Sequence, residues 1–233
     1  MSKKLNFTIF FVTVLTAFLS CSAQQKEISA KEFEEIQSKA TEKLTDKTYR
    51  LTKTEEYFPD RNGGASPERV NTRITEIVQP DKKREVEELK SSKENTRTER
   101  IWDGKNLYVK ENNRDWKKYN GGGNSGGGDF TSGKITTTYK FIEKSTVNNQ
   151  AAYVYEVETH RKATKYSQTD RFEVEYIEKT KYWIGENGLY LKSIKENEIV
   201  GSKSLRRDTW VYEYDTNIKI ETPIIEAANK PSN

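Results

Sequence analysis

Tyr182-Trp183-Ile184-Gly185-Glu186-Asn187-Gly188-Leu189-Tyr190-Leu191-Lys192 reads as two β-strands folded back on each other. Glu186-Asn187-Gly188 supplies the turn, because Asn and Gly enter the left-handed backbone region at little cost. The flanks are aromatic and β-branched, in the alternation of a half-buried strand. They extend to strands over 172–184 and 189–196, and a last strand is predicted over 209–214.

The same rhythm runs backwards along the chain. Strands are predicted over 134–144 and 151–161 around the turn Val147-Asn148-Asn149, and before them over 48–58, 70–78, 84–90, 96–102, 106–111 and 116–119. Asp103-Gly104 predicts a hairpin with a primed turn, since that pair accepts positive φ angles. Sequential hairpins predict a meander of about ten strands in which each strand lies beside its predecessor. No repeat period beyond the hairpins and no second domain is visible.

One helix precedes the strands. Ser29 is its N-cap and Glu32 stands three residues on, a capping box, with Ile28 and Phe33 spaced as a hydrophobic staple. Phe33, Ile36, Ala40 and Leu44 recur at helical spacing and form one narrow apolar stripe, so the helix is expected to lie on another element.

The first 21 residues have the order of an export signal. Lys3 and Lys4 form a basic start, Leu5 to Leu19 an apolar run of about 15 residues, and Ser20-Cys21-Ser22-Ala23 a small-residue end. That run is shorter than the roughly 20 residues a membrane span needs. Phe18-Leu19-Ser20-Cys21 resembles a lipobox, with Phe18 where Leu is usual; Cys21 then becomes the acylated N-terminus that tethers the protein to a membrane. Cleavage after Ala23 is the alternative, and it removes Cys21. Either way no disulfide holds the mature fold, because Cys21 is the only cysteine.

Composition narrows the function further. The chain is 33% hydrophobic and 33% charged, close to disordered composition, yet its 13 Tyr, 9 Phe and 4 Trp argue for a folded sheet rich in aromatics. Charges of both signs are interleaved, as in Lys82-Lys83-Arg84-Glu85-Val86-Glu87-Glu88, so the clustered positive field of a nucleic-acid binder is missing. The single histidine, His160, and the single cysteine provide no Ser-His-Asp or Cys-His pair. A zinc site would have to be built almost entirely of carboxylates. Glu173, Glu175, Glu178 and Glu186 are numerous enough for paired-acid hydrolysis of a glycoside. Glu and Lys alternating on a strand are more simply its solvated face, and no enzymatic activity or cofactor is expected. Asn120-Gly121-Gly122-Gly123 and the residues after it form a low-complexity stretch, expected to be a flexible loop over 120–129; it lacks the Lys and Ser/Thr of a phosphate-binding loop.

The aromatic rows carry the functional reading. Alternate residues of a strand share a face, which groups Tyr139 with Phe141, Tyr153 with Tyr155, Tyr176 with Tyr182, and Trp210 with Tyr212 and Tyr214. They either form the core under the Phe33 stripe or, where one short helix fails to cover them, line a site for an apolar ligand. Tyr139, Phe141, Tyr153, Tyr155, Tyr176, Tyr182, Leu189, Leu191, Trp210 and Tyr212 are the candidate lining. A one-residue slip in register would reverse which face points inward.

The element order, with Trp102-Asp103-Gly104-Lys105-Asn106-Leu107-Tyr108, the hairpin quoted first, and Asn217, Ile220 and Pro223 in an N-x-x-I-x-x-P closing phrase, resembles periplasmic lipoprotein carriers of LolA and LolB type and their mycobacterial relatives. The resemblance spans most of residues 28 to 224. It implies a mainly β (α+β) fold, a curved antiparallel sheet forming an incomplete barrel with the N-terminal helix packed on the concave side. It also implies a non-catalytic exported envelope protein that holds a lipid, acyl chain or other apolar ligand on that face. The Gly-rich stretch is foreign to the family's pattern. The domain expected is a single one over 22–233 with a disordered tail over 225–233, in the periplasm and membrane-tethered through Cys21 if lipidated. A module that docks an envelope protein without any small ligand is the alternative.

Overall fold

The computed structural model describes residues 25–60, 66–91, 95–120, 132–166, 171–214 and 217–225. The expected signal 1–21 with Cys21, the glycine-rich stretch after residue 120, and the tail after residue 225 lie outside them.

Strand β1 (Lys26–Glu27) leads into helix α1 (Ala30–Glu42). Ser29 caps the helix as its sequence predicts: its backbone is extended and its Oγ accepts a hydrogen bond from Glu32 N at 3.1 Å. There follow β2 (Tyr49–Phe58), β3 (Arg69–Val78), β4 (Lys82–Ser91), β5 (Asn95–Trp102), β6 (Asn106–Glu111) and β7 (Lys117–Asn120). The second run is β8 (Ser132–Val147), β9 (Gln150–Tyr166), β10 (Arg171–Gly185), β11 (Tyr190–Ile199) and β12 (Leu205–Glu213).

All twelve strands belong to one open antiparallel sheet, in the order β1-β8-β9-β10-β11-β12-β2-β3-β4-β5-β6-β7. Its edges are β7 at one end and β8, with the short β1 on it, at the other; the barrel is not closed. The expectation that each strand lies beside its predecessor is corrected at one place. Strand β8 does not pair with β7; two meanders, β2 to β7 and β8 to β12, meet where β12 pairs with β2, with Trp210 opposite Lys53 and Tyr212 opposite Leu51.

The turns follow local chemistry. Asn148 and Asn149 have φ of 49° and 62° between paired Val147 and Gln150, a two-residue primed turn. Asp103-Gly104 is different from its prediction: only Gly104 has positive φ, at 88°. The Asp103 carboxylate instead accepts from Lys105 N at 3.0 Å and Asn106 N at 2.8 Å, closing an Asx-type loop. Those backbone bonds hold its pKa well below the usual carboxylate range.

Two small cores lie on opposite faces, over different halves of the sheet. On one face, Ala40 of α1 packs with Ile184 and Tyr190, flanked by Ile36, Leu44, Tyr155, Tyr182 and Tyr212. On the other, the C-terminal segment 217–225 crosses the first meander and buries Ile218 and Ile220 against Ile101 and Tyr108. Antiparallel partners share a face, so register alone assigns these sides.

Between the cores, charge takes the place of hydrocarbon. Across β12, β2, β3 and β4 runs the row Glu213, Arg50, Glu76, Arg84, with Arg50 2.7 Å and Arg84 3.3 Å from the buried Glu76. On the other face Glu87 takes bonds from Arg73 at 2.7 Å, Asn71 at 3.2 Å and Arg100 at 3.2 Å. Burial pushes the Glu87 carboxyl up, but those three donors outweigh it and hold it down at about 2. Opposite charges in facing positions add modestly to the stability of a sheet.

Candidate functional site

The site grows from α1 and the aromatic rows beneath it. Register puts Tyr155 opposite both Phe141 and Tyr182, and Tyr153 opposite Ile184. Phe33 reaches down from the helix to Tyr139, Tyr155 and Tyr182, with ring centroids 5.4, 6.1 and 5.5 Å apart. Phe141 continues the contact to Tyr155 at 5.8 Å. On the other side Tyr182 meets Tyr190 at 6.4 Å, and Tyr190 stacks on Tyr212 at 5.7 Å. Tyr49 then bridges Tyr212 and Tyr214. Separations of this size are those of favourable tilted and offset ring pairs.

Burial is felt by the phenols of this bed. It raises the phenol pKa of Tyr155, Tyr182 and Tyr190, and with neighbouring phenols it pushes Tyr212 up to about 12. Tyr214 is raised as well, and its hydroxyl donates to Tyr190 O at 2.6 Å. Phenols are neutral at physiological pH even at their ordinary pKa, and the upward shifts reflect how far burial removes these hydroxyls from water.

Of the ten candidate residues, the structure brings together Tyr139, Phe141, Tyr153, Tyr155, Tyr182 and Tyr212. Tyr176 shares their face but lies six residues up β10 from Tyr182, roughly 20 Å away, beside the Arg161 guanidinium at 5.3 Å. Trp210 also shares the face, opposite Ser193, and has Lys53 Nζ 5.3 Å from its ring centroid. Leu189 precedes β11 in the turn, where its N–H donates to Asn187 Oδ1. Leu191 is 2% exposed and packs by Gly185, where a Cβ would stand 3.5 Å from Leu191 Cδ1. The residue that enters the aromatic row is Tyr190, which the sequence reading passed over. The cause is a register shift between Trp183 and Ile184, which sets Tyr190 opposite Ile184 and displaces the simple alternation by one. Tyr49 was also passed over; it opens a strand whose other residues are mostly polar.

Helix α1 covers the middle of the row. Apolar surface remains open at its C-terminal end, in a cleft of about 550 Å³ floored by Ile36, Tyr153, Tyr155 and Ile184. Its rim carries Lys39, Glu42, Lys43, Asp46 and Glu186. Lys43 Nζ donates to Asn187 O across the cleft mouth, tying helix to hairpin. Lys144 stands 4.0 Å from Glu186 and 5.0 Å from the Tyr153 ring centroid, on the opposite lip. The arrangement is an apolar bed with a rim that carries charges of both signs.

Of the acids raised by the sequence, Glu173 and Glu175 stand two residues apart on one face of β10, and the other two lie elsewhere. Glu175 lies 3.7 Å from His160, Glu178 pairs with Lys195 at 2.6 Å on the other face, and Glu186 is in the turn. Among the described residues no group of three or more His, Cys, Asp or Glu is placed to hold a metal ion. No helix among them is long and apolar enough to cross a membrane.

No family model and no curated protein matches the chain. A solved chain from Vibrio parahaemolyticus, provisionally described as an outer membrane lipoprotein-sorting protein domain, aligns over 81% of this chain and 93% of its own. Its identity is 8% and its TM-score 0.29. A likeness of that size says nothing about what the cleft holds.

Proposed function

We propose that this protein is an exported envelope protein that holds an acyl chain or similar apolar ligand, without turnover, in the cleft at the C-terminal end of α1. The supporting observation is the continuity of the cleft floor, Ile36, Tyr153, Tyr155 and Ile184, with the aromatic bed that α1 already covers. About 550 Å³ falls within the range of small-molecule sites. In this reading the helix-bearing face is the concave side of an incomplete barrel, and acylation of Cys21 tethers the protein in the periplasm. The mixed rim places both signs of charge where a polar headgroup meets water, and the hydrocarbon meets neutral phenol rings.

Titration of the full chain with a fluorescent fatty-acid probe tests the reading. Saturable binding that is lost in Ile184→Glu and weakened in Tyr155→Ala is the expected result, because each removes part of the floor. A probe that fails to bind, or binds the Ile184→Glu protein equally well, overturns it. Mass spectrometry of the mature N-terminus decides the tether: an acylated Cys21 supports it, and a chain beginning after Ala23 removes it.

A further inference from the structure

The face opposite α1 carries a second groove, of about 610 Å³, across β9, β10, β11, β12 and β2. Three cross-strand rows build it. The outer row alternates in charge, Glu158, Lys179, Glu196, Arg207, Glu56. The middle row runs Glu156, Lys181, Ile194, Thr209, and the inner row sets Trp183 between Val154 and Lys192. Charge therefore gives way to an indole over two steps along β10.

The charges leave little for an ionic ligand. Lys179 is 3.0 Å from Glu158 and Arg207 is 2.8 Å from Glu196. Acids and bases in the groove lining are equal in number, three of each, Glu56, Glu156 and Glu196 against Lys179, Lys181 and Arg207. An anion would have to separate these pairs, and so would a metal cation. Glu156 is different: it is buried, and its nearest ammonium groups, Lys181 and Lys179, stand 3.6 and 3.9 Å away. Those separations exceed a hydrogen bond. A hydroxyl both donates and accepts, so one placed between Glu156 and Lys181 satisfies both without breaking a pair. Beside them Trp183 offers a half-buried indole, and the flexible Lys192, with Nζ 5.2 Å from the centroid, is the side chain that a ring lying there would displace.

We propose that this groove binds a neutral oligosaccharide, one sugar ring lying on Trp183 while the hydroxyls of its neighbour bridge Glu156 and Lys181. A sugar ring has C–H faces suited to the negative face of an indole and a rim of hydroxyls suited to paired charges. The groove and the cleft lie on opposite faces, so this site stands independently of the acyl reading.

Saturation-transfer NMR on the full chain, with chitotetraose and cellotetraose as probes, tests it. Transfer to the sugar ring protons is expected for at least one probe. Affinity should fall roughly tenfold in Trp183→Leu and in Glu156→Gln, the size of losing one good ring contact or one hydrogen-bonded anchor. The fatty-acid probe should bind both variants as it binds the parent. No transfer from either tetrasaccharide overturns the proposal. So does parental affinity in Glu156→Gln, which keeps the side-chain shape and secures the test if Trp183→Leu fails to fold. Stronger binding of a sulfated oligosaccharide than of either neutral one also overturns it.

Discussion

His160 is the single histidine of the chain, and it sits between two carboxylates. Its Nε2 is 2.8 Å from Glu158 and its Nδ1 3.7 Å from Glu175. The hydrogen bond to Glu158 leads in raising its pKa; desolvation opposes it next, and the Glu158 charge and the contact with Glu175 add to the rise. A raised value in the folded protein means that the contribution to stability is fully present below the ordinary histidine pKa and is lost as pH rises through the raised one. One imidazole signal in a proton NMR titration will report this directly: its midpoint is expected above about 6.5, and Glu158→Gln should bring it down. A parent midpoint at or below the ordinary value would remove the account. At this scale the sequence was only half legible. It showed His160 and its acidic neighbour on one strand, but Glu175 comes from another strand, and only register brings it near.

Helix α1 was legible almost completely, because its signals are local. Ser29 and Glu32 fix the start, and Phe33, Ile36, Ala40 and Leu44 mark the buried side. The two groups of residues have different jobs, and their substitutions should separate. Ser29→Ala removes one capping bond and should cost about 1 kcal/mol. Phe33→Ala removes the ring that joins Tyr139, Tyr155 and Tyr182 and should cost about 3 to 5 kcal/mol. Urea denaturation measures both; a Phe33→Ala cost no larger than that of Ser29→Ala would mean that the helix does not seat on the bed. The strands of the last hairpin were placed within a few residues, but alternation named Leu189 and Leu191 where Tyr190 enters the row. A bulge shifts the count by one and leaves no local signature in a run where every residue is apolar.

The sheet as a whole rests on contacts that no local pattern announces. The pairing of β12 with β2 joins residues about 150 positions apart, and turn chemistry specifies neighbours only within a hairpin. The closing segment shows the same limit. Asn217, Ile220 and Pro223 were noticed as a phrase, while its physical use, burying Ile218 and Ile220 on Ile101 and Tyr108, depends on a crossing of the sheet. Ile218→Ala and Ile220→Ala should each cost about 2 kcal/mol or more, and their combined cost should depart from the sum because the two share neighbours. Ile224, which is 94% exposed, is the comparison, and Ile224→Ala should leave the urea midpoint where it was. An equal response from all three would show that the segment is not docked.

The junction of the two meanders also sets a birth order. A growing chain makes α1 and β2 first, yet the floor under α1 comes from β8 to β12, and the open side of β2 is filled by β12. Until residue 139 and its successors emerge the greasy stripe of the helix has no native neighbour, and until residue 205 and its successors emerge one whole flank of β2 has none. Early hairpins can zip as they appear, but the molecule stays unlatched until nearly its last strand is made. Any handler that accompanies the unfinished chain has those two surfaces to shield.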